Sequence, residues 1–503
     1  MKKVILSLLC VLALTSGASA KKYVTYEKYG AVGNGVANDF PAMKAAHEAA
    51  NERGLPVRAK KGAKYYIAPE SGTITVQTDV DFGDAEIIID DRNCPKGKYP
   101  VFVVSSTLKP VKLKGVTPPK KDQPNLGVTL ERRSLVVIVD DNHKVYIRKG
   151  GNANNGTGLK EVLVVEKDGS IDPKTAVMWD YDNLTSAIAY PIDDQTLTIR
   201  GGRFKTIANN KAERNYYHRG IQVKRSNVKV EGLRHTVEGE GDEGAPYSGI
   251  LTLSTCCEVE VSDCIFTGHR IYQKMGALGK PVSRGSYDYG MNTVANVTLR
   301  KCRQFDDIDD AKHWGIMGTN FCKNLTMEDC SVSRFDAHMG VENVTLRRCT
   351  FGHMGVRMVG RGTIRLEDCE LRYNTVIALR TDYGSSWDGD IIVRNCVLRP
   401  VKKGLKELTI LNGNNSGTHD FGYECRLPRR IDVDGLLIDD SVLDPKAQIN
   451  VYASFGRDVS KPDLLPYNTD AVVTLKNVTV KSGRPIGLSS NPGLFPNVKI
   501  VRE

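Results

Sequence analysis

The chain has 503 residues, of which 40% are hydrophobic and 26% charged, as in an ordinary globular protein. This composition excludes a collagen, a coiled coil and a largely disordered chain. The formal net charge of +11 is spread without dense Lys/Arg clusters, so we expect no nucleic-acid partner and favour an acidic polysaccharide.

The N-terminal 20 residues have the pattern of a secretory signal peptide. Two lysines precede the apolar stretch 4–14, and Ala18-Ser19-Ala20 supplies a small-x-small cleavage signal. The apolar stretch is too short to span a bilayer. We therefore expect export to the periplasm or the medium, with no stable membrane insertion.

A short helix is predicted near the start of the mature chain. Asp39 is placed as its N-cap, Pro41 lies in its first turn, and Gly54 closes it after about Asn51. The segment 64–67 then has the pattern of a strand. Such a helix could cover the open end of a solenoid.

The middle of the chain repeats a short alternating motif that ends in cysteine. Apolar and polar residues alternate in each copy, which is typical of a half-buried strand. The copies recur every 19 to 38 residues with no helical pattern between them, which indicates a solenoid. The six clearest copies end at Cys264, Cys302, Cys330, Cys349, Cys369 and Cys396.

This pattern predicts an all-β fold, a right-handed parallel β-helix with a short N-terminal capping helix. Equivalent residues then stack about 4.8 Å apart along the axis. The six cysteines would form one inward ladder of reduced thiols, since parallel stacking does not suit disulfide geometry. The Asn-x-Thr tripeptides at Asn296, Asn324, Asn343 and Asn477 would form a ladder of turn asparagines rather than glycosylation sites.

Residues 29–46, together with 62–67, resemble the N-terminal signature of the pectate-lyase-like superfamily, in its rhamnogalacturonase and epimerase branch. The resemblance implies the β-helix and a carbohydrate-active protein. It does not select a chemistry, because the superfamily includes lyases, hydrolases, epimerases and non-catalytic phage fibres.

We expect one β-helix domain over residues 21–503, in four parts. The segment from 71 to 190 is either a set of irregular early coils or a β insertion packed on the helix. The parts are a cap (21–70), this irregular segment (71–190), regular coils with the candidate site (191–400) and C-terminal coils (401–503).

A second repeated pattern, x-x-Gly followed by an apolar residue, precedes several strands. It places His313, His338 and His353 at one position of successive coils. Three adjacent imidazoles cannot all be protonated cheaply, so a neutral one could serve as a general base.

Polar and aromatic residues surround this predicted histidine ladder on four consecutive coils. Each residue also has a purely structural explanation. Aspartates often form turns, arginines often face solvent, and a loop tryptophan is as often a packing residue as a platform for a sugar ring. The candidates are Asp310, Trp314, Asp336, Arg357, Arg361, Asn374, Arg380, Asp382, Tyr383 and Trp387.

Two cleavage chemistries fit these residues. In β-elimination a base removes the proton beside a uronate carboxylate while a cation neutralises that carboxylate. His338 or His353 would be the base and Tyr383 the acid. The neutralising groups would be Arg357, Arg380 or Asn374.

In inverting hydrolysis, two carboxyl groups lie about 6.5–9.5 Å apart; one protonates the leaving group and the other activates a water. Asp310 and Asp336 could do this, with a loose resemblance to polygalacturonase-type hydrolases in 309–310, 335–336, 352–354 and 380–381. The paired aspartate, one glycine and the lysine of that pattern are missing, so we favour elimination slightly.

Three further hypotheses remain. The histidines with Asp336 or Asp310 could bind zinc, although parallel side chains converge poorly. No cofactor is expected, with calcium on the acidic run 306–310 as the alternative. A non-catalytic glycan-binding β-helix would instead bury the histidine ladder and leave no groove beside it.

Overall fold

The structure is a computed structural model, which describes residues 22–94, 99–148, 153–209, 219–240, 249–275, 279–414, 420–455 and 470–503. The predicted signal peptide lies outside these ranges. The described residues form 34 strands and one α-helix, α1 (Phe40–Arg53).

The strands of the first half of the chain are β1 (Val24–Thr25), β2 (Asn34–Asn38), β3 (Val57–Arg58), β4 (Lys64–Ile67), β5 (Ile74–Val76), β6 (Val80–Asp90), β7 (Phe102–Val104), β8 (Val111–Lys112), β9 (Ser134–Val145), β10 (Thr157–Val165), β11 (Ser186–Pro191), β12 (Leu197–Ile207), β13 (Ile221–Val223), β14 (Val228–Glu231), β15 (Arg234–Glu238), β16 (Leu251–Ser262) and β17 (Ile265–Phe266).

The strands of the second half are β18 (Tyr272–Met275), β19 (Pro281–Arg284), β20 (Tyr289–Arg300), β21 (Arg303–Gln304), β22 (Met317–Glu328), β23 (Ser331–Arg347), β24 (Thr350–Met358), β25 (Gly360–Glu367), β26 (Glu370–Leu371), β27 (Thr375–Leu379), β28 (Trp387–Leu398), β29 (Leu405–Asn412), β30 (Arg430–Ile438), β31 (Leu443–Tyr452), β32 (Ala471–Val480), β33 (Ile486–Ser489) and β34 (Val498–Arg502).

Parallel pairing stacks these strands into three ladders around one apolar core. The first ladder contains β14 and, aligned with it, segments 259–262, 297–300 and 325–328. The second ladder contains β15, β17 and β21. The third contains β13 and the first halves of β16, β20 and β22. The chain therefore coils as a parallel β-solenoid, as the alternating motif predicts.

The cysteine motif sits at the turn between the first and second ladders. The residue before each motif cysteine has a left-handed backbone, for example Asp263 (φ 54°) and Lys301 (φ 52°). This turn redirects the chain and leaves each cysteine pointing inward. All six motif cysteines are buried and unpaired, which confirms the predicted ladder of thiols.

The sequon asparagines occupy the other turn of the same motif. Asn296, Asn324 and Asn343 all have φ between 52° and 58°. The Asn324 amide donates to Asn296 Oδ1 at 2.6 Å, and Asn343 Oδ1 accepts from the Thr363 backbone N–H at 2.9 Å. This is the predicted ladder of turn asparagines.

The capping helix α1 lies where the sequence predicts and ends at Gly54, which has a left-handed φ of 63°. Met43 and Ala46 on its inner face are fully buried against the first coils. Asp39 is the N-cap residue, as predicted, and its carbonyl accepts from the Met43 N–H at 2.9 Å, but its carboxylate caps no helical N–H. It accepts instead from the backbone of Val32, Gly33 and Tyr66, so it closes the loop before the helix.

Between β7 and β12 the chain leaves the coil and forms an antiparallel sheet of four strands, in the order β10-β9-β11-β8. Ser106 Oγ donates to Asp193 Oδ1 at 3.0 Å, so the excursion starts and ends at neighbouring points. The segment predicted to be irregular, 71–190, therefore contains both alternatives: β5 to β7 are coil strands, and the part after them is a β insertion that packs on the coils.

A buried ion cluster fixes the insertion to the coils. Lys323 on β22 is 1% exposed and forms ion pairs with Glu161 of β10 and with Glu342 (3.0 Å). Its ammonium also donates to the Ala176 carbonyl at 2.7 Å. Burial alone would lower the pKa of Lys323, but the two carboxylates raise it above its usual value, so the lysine stays charged.

Within the described ranges, no helix combines the length and apolarity needed to cross a bilayer.

Candidate functional site

A groove of about 540 Å³ runs along the third ladder, between the coils and the insertion. The residues that line it come from five successive coils (β13, β16, β20, β22 and β23), from the segment after β27, from the insertion and from the segment before β20. Those with polar or aromatic side chains include Arg148, Gln222, Thr252, Tyr287, Asn292, Trp314, Asn320, His338, Arg380 and Asp382.

His338 enters the groove through a β-bulge. Thr319 pairs with Ala337 and Asn320 pairs with Met339, so His338 is the extra residue between them. Bulges of this kind redirect a side chain out of the regular ladder. Without the bulge, the residue after Ala337 would pair with Asn320 and follow the regular inward–outward alternation of side chains along the strand.

The surroundings of His338 keep its ring neutral. Arg148 donates to Nε2, and the ring packs edge-on against Tyr383 with centroids 5.4 Å apart. Burial lowers the pKa of His338 to about 3, helped by the positive charges of Arg380 and Arg148. Since an imidazolium is disfavoured here, the His338 ring is uncharged at neutral pH.

Asp336 lies two residues before His338 and is fully buried beneath the groove. Its carboxylate binds Arg334 Nη2 at 2.8 Å and Arg380 Nη1 at 2.5 Å, and it accepts a hydrogen bond from the Tyr287 hydroxyl. Burial alone would raise the pKa of Asp336, but the two guanidinium groups hold it well below its usual range. Asp336 is therefore a permanent anion that positions the arginines.

Asp382 links the two arginines that face His338. It lies 2.9 Å from Arg380 Nη2 and 2.6 Å from Arg148 Nη2. With Arg334 included, three guanidinium groups face the two carboxylates of Asp336 and Asp382. The groove floor therefore has a surplus of positive charge beside a neutral imidazole, which suits an anionic ligand.

Two aromatic side chains form the wall opposite the insertion. The Trp314 ring lies under the Arg334 guanidinium, 4.6 Å from its centroid, and the Tyr287 ring is 6.3 Å from that of Trp314. Tyr287 covers Gly318 so closely that a Cβ there would lie 2.7 Å from the tyrosine ring. Burial raises the pKa of Tyr287, so its hydroxyl stays protonated.

The predicted ladder of three stacked histidines is wrong. Asp336 pairs with Arg357, so His338 lies two residues beyond this pair and His353 four residues before it. Three residues, including His353, bulge opposite Ser333. The glycine pattern misled because the inserts differ in length, and Gly290 pairs with Gly318 rather than with the glycine that follows His313.

His313 and His353 lie together, and neither lines the groove. The His353 Nε2–H donates to the His313 carbonyl at 2.9 Å, and burial lowers the pKa of His353. His313 Nδ1 is 3.8 Å from Asp310 Oδ2. This cluster fixes the loop before β22.

The carboxylates of the acidic run 306–310 form hydrogen bonds and ion pairs that hold the same loop in place. Asp306 accepts from the Gly268 N–H at 2.6 Å, Asp309 binds Arg372 at 2.7 Å, and Asp310 accepts from the Lys312 N–H at 2.9 Å. The carboxylates thus point to separate partners. Asp310 does not line the groove, so the structure does not bring it together with Asp336 as the hydrolytic pair requires.

Five other predicted residues have contacts outside the groove. Arg357 donates to the Tyr373 hydroxyl at 2.7 Å, and Arg361 lies over the Trp179 ring at 3.2 Å from its centroid. Trp387 is fully buried and donates to the Gly362 carbonyl, so its predicted role as a sugar platform is wrong. Neither Asn374 nor the buried ring of Tyr383 lines the groove, although Tyr383 supports Arg148 from below at 4.6 Å.

Arg148, Arg334 and Tyr287 are site residues that the sequence interpretation missed. Arg148 lies in the insertion, whose pattern says nothing about the groove that it borders. Arg334 stands two positions before Asp336, and this Arg-x-Asp spacing was an available signal. Tyr287 lies in the segment between β19 and β20 and lines the groove.

No protein-family model and no curated protein matches the sequence. Among solved structures, the chain has the fold of parallel β-helix proteins, which confirms the resemblance to pectate-lyase-like β-helices at the level of the fold.

Three of the similar solved structures are phage tailspikes. The gp49 tailspike of Pseudomonas phage LKA1 matches 95% of this chain and 84% of its own, with a TM-score of 0.60 and 15% identity. The gp61 tailspike of Pseudomonas phage phi297 matches 91% of this chain and 80% of its own, with a TM-score of 0.56 and 12% identity. The gp54 tailspike of Acinetobacter baumannii bacteriophage AP22 was solved in complex with A. baumannii capsular saccharide. It matches 95% of this chain and 79% of its own, with a TM-score of 0.53 and 10% identity.

Proposed function

We propose that the protein is a carbohydrate-active enzyme that cleaves an acidic, uronate-containing polysaccharide by β-elimination in the groove. The observation that carries this proposal is the neutral His338 bulged between Arg148 and Arg380. Elimination needs such a pair of functions, a base for the proton beside the carboxylate and a cation for the carboxylate itself.

Substrate binding would complete the base. In the free groove Arg148 donates to Nε2 of His338. A uronate carboxylate bound by Arg148 and Arg380 competes for these donors and frees the Nε2 lone pair. Its negative charge also raises the pKa of His338 from about 3 toward neutrality, where a general base is most effective.

The bonds change as follows. His338 takes the proton on the carbon beside the carboxylate, the electron pair forms a carbon–carbon double bond, and the glycosidic bond at the next carbon breaks. The leaving oxygen takes a proton, for which the Tyr287 hydroxyl is the groove donor that stays protonated. In the free groove this hydroxyl donates to Asp336, so in this step it turns from Asp336 to the leaving oxygen and gives up its proton there.

Inverting hydrolysis by Asp310 and Asp336 is less well supported. A general acid needs a raised pKa, whereas the arginines lower that of Asp336. Asp310 lies in another loop and its pKa is also lowered, by the Lys312 backbone N–H.

Glycan binding without turnover is the second candidate. It is favoured by the hydrogen bond that occupies Nε2 of His338 and by the ion pairs that engage Asp336 and Asp382. A groove of this kind could hold an anionic chain without ever presenting a free base.

The proposal is tested by incubating the protein with a panel of uronate-containing polysaccharides. We expect new reducing ends and the ultraviolet absorbance of unsaturated uronate to rise together. Reducing ends without the chromophore would show hydrolysis. Tight binding with neither signal would favour the glycan-binding module.

We also propose that the coils wind in a right-handed sense, as connections between parallel strands almost always do. On the N-terminal pattern we propose export to the periplasm or the medium. N-terminal sequencing of protein recovered outside the cytoplasm, beginning at Lys21, would support this, and an intact N-terminus on cytoplasmic protein would contradict it.

A further inference from the structure

A second polar cluster lies inside the coils, apart from the groove. His235, His269 and Asp288 are each at most 2% exposed, and one ligand atom of each lies within 4.8 Å of the other two. His235 occupies an inward position of the second ladder that pairs with Phe204 on the preceding coil. Ionisable groups in such an apolar interior are costly unless they are paired or bind a metal.

We propose that His235, His269 and Asp288 bind a divalent transition-metal ion, of which zinc is the best fit, as a structural site. Asp288 Oδ1 is the centre of the set, 2.7 Å from His235 Nδ1 and 3.0 Å from His269 Nε2. In a tetrahedral zinc site with bonds of about 2.0–2.1 Å, ligand atoms lie about 3.4 Å apart. Small outward shifts would therefore admit the ion.

The outer contacts of the three side chains are those of metal ligands. The second ring nitrogen of His235 lies 2.9 Å from Thr206 Oγ1, and that of His269 lies 3.5 Å from Glu240 Oε1. Asp288 Oδ2 accepts from the Thr267 backbone N–H at 2.9 Å. Ligating histidines almost always have such a partner on the ring nitrogen that faces away from the metal.

Charge and space fit the same ion. A dication with neutral histidines balances the carboxylates of Asp288 and Glu240. Arg219, whose side chain borders the same cavity, already pairs with Asp91 at 2.9 Å. A cavity of about 10 Å³ borders all three ligands, and it has room for a fourth, water-sized ligand.

The choice of metal follows from the donors. Two imidazoles and one carboxylate suit zinc and its first-row neighbours, whereas calcium and magnesium prefer sets of oxygen ligands. The site is enclosed by the coils, so the ion would stabilise the fold rather than contact a substrate.

The test uses the full chain without a polyhistidine tag, stripped with chelator, reloaded with zinc alone and desalted. We expect one zinc per chain by elemental analysis and a rise in the Tm of several degrees relative to the stripped protein. Cobalt in place of zinc should give the intense visible bands of a tetrahedral ion.

The variants His269→Gln and Asp288→Asn should lose the bound zinc and the Tm rise, while His143→Gln, which removes an exposed histidine, should keep both. If either ligand variant fails to fold, the cobalt spectrum of the unaltered protein still decides. Failure of folded, stripped protein to retain zinc would overturn the site and leave a proton-bridged cluster of His269 with Asp288 and Glu240. Equal zinc retention by the ligand variants would also overturn it.

Discussion

Arg380 Nη1 lies 2.5 Å from Asp336 Oδ1, and the same guanidinium lies 2.9 Å from Asp382 Oδ2. One arginine thus joins a fully buried anion to an anion at the groove surface. These two ion pairs connect the interior of the third ladder to the candidate site. The stability of the coil and the charge of the groove therefore depend on the same contacts.

Replacing Asp336 with Asn should destabilise the fold by about 3–5 kcal/mol at pH 7, because Arg334 and Arg380 lose a buried partner. The pKa of Asp336 is held below that of the unfolded chain, so its contribution is complete above about pH 4 and is lost as the pH falls below that value. Urea unfolding at pH 7 and pH 3 should show the difference from the unaltered protein shrinking in acid. Asp310→Asn, the matched control, should change stability by less than about 0.5 kcal/mol.

Removing the proposed base should stop turnover without unfolding the protein. We expect His338→Gln to lower kcat by about 10²- to 10⁴-fold on a polysaccharide that the unaltered protein cleaves. His353→Gln should retain turnover, since His353 contacts the 305–313 loop and not the groove. Equal losses in the two variants would contradict the assignment of the base to His338.

The pH dependence of kcat/KM reports groups of the free enzyme. Burial and the adjacent Arg380 and Arg148 lower the pKa of His338 to about 3, so the histidine stays neutral on acidification to about pH 5. We therefore expect no decline of kcat/KM between pH 7.5 and pH 5 from this group. An acid limb centred near pH 6.5 that disappears in His338→Gln would show that the ring is not held neutral.

Arg148 should affect both the ligand and the histidine. Loss of one charge-assisted hydrogen bond is worth about 1.5–3 kcal/mol, so Arg148→Gln should weaken binding of an acidic oligosaccharide by about 10- to 100-fold. Removing this cation should also raise the pKa of His338, which NMR titration of the ring protons measures. Arg303→Gln, on an exposed strand position, should change neither quantity. Unaltered binding by Arg148→Gln would place the anionic ligand elsewhere.

The insertion should depend on Lys323. Lys323→Met leaves Glu161 and Glu342 buried without their cation, and we expect a loss of about 3–5 kcal/mol in the free energy of unfolding. The exposed Lys312→Met serves as the control in the same urea titration. If Lys323→Met is as stable as the control, then the buried cluster does not hold the insertion to the coils.

The fold was largely predictable because its signals are local. The alternating motif, the cysteine after a left-handed residue and the turn asparagines recur on each coil, and stacking turns each of them into a ladder. The helix bounds were predictable for the same reason. Asp39 shows the limit, because it is the N-cap residue but its carboxylate binds a loop that the sequence pattern does not reveal.

The site was predictable only in part, because it depends on registers set by inserts and bulges. His338, Asp336, Arg380, Asp382 and Trp314 do lie in or under one groove. The three-histidine ladder failed, since a bulge opposite Ser333 shifts His353 along the strand. Arg148 reaches the groove from the insertion, just after β9, a contact between distant parts of the chain that spacing along the sequence cannot reveal.

The hydrogen bond between Ser106 and Asp193 marks a natural junction in this protein. The coils supply the groove floor, and the sheet between these two residues supplies the opposite rim with Arg148. Because its ends meet at one point of the solenoid, this sheet could be exchanged for another of different shape while the coils keep their register. Evolution, or protein engineering, could thus change which glycan is held without rebuilding the scaffold that holds it.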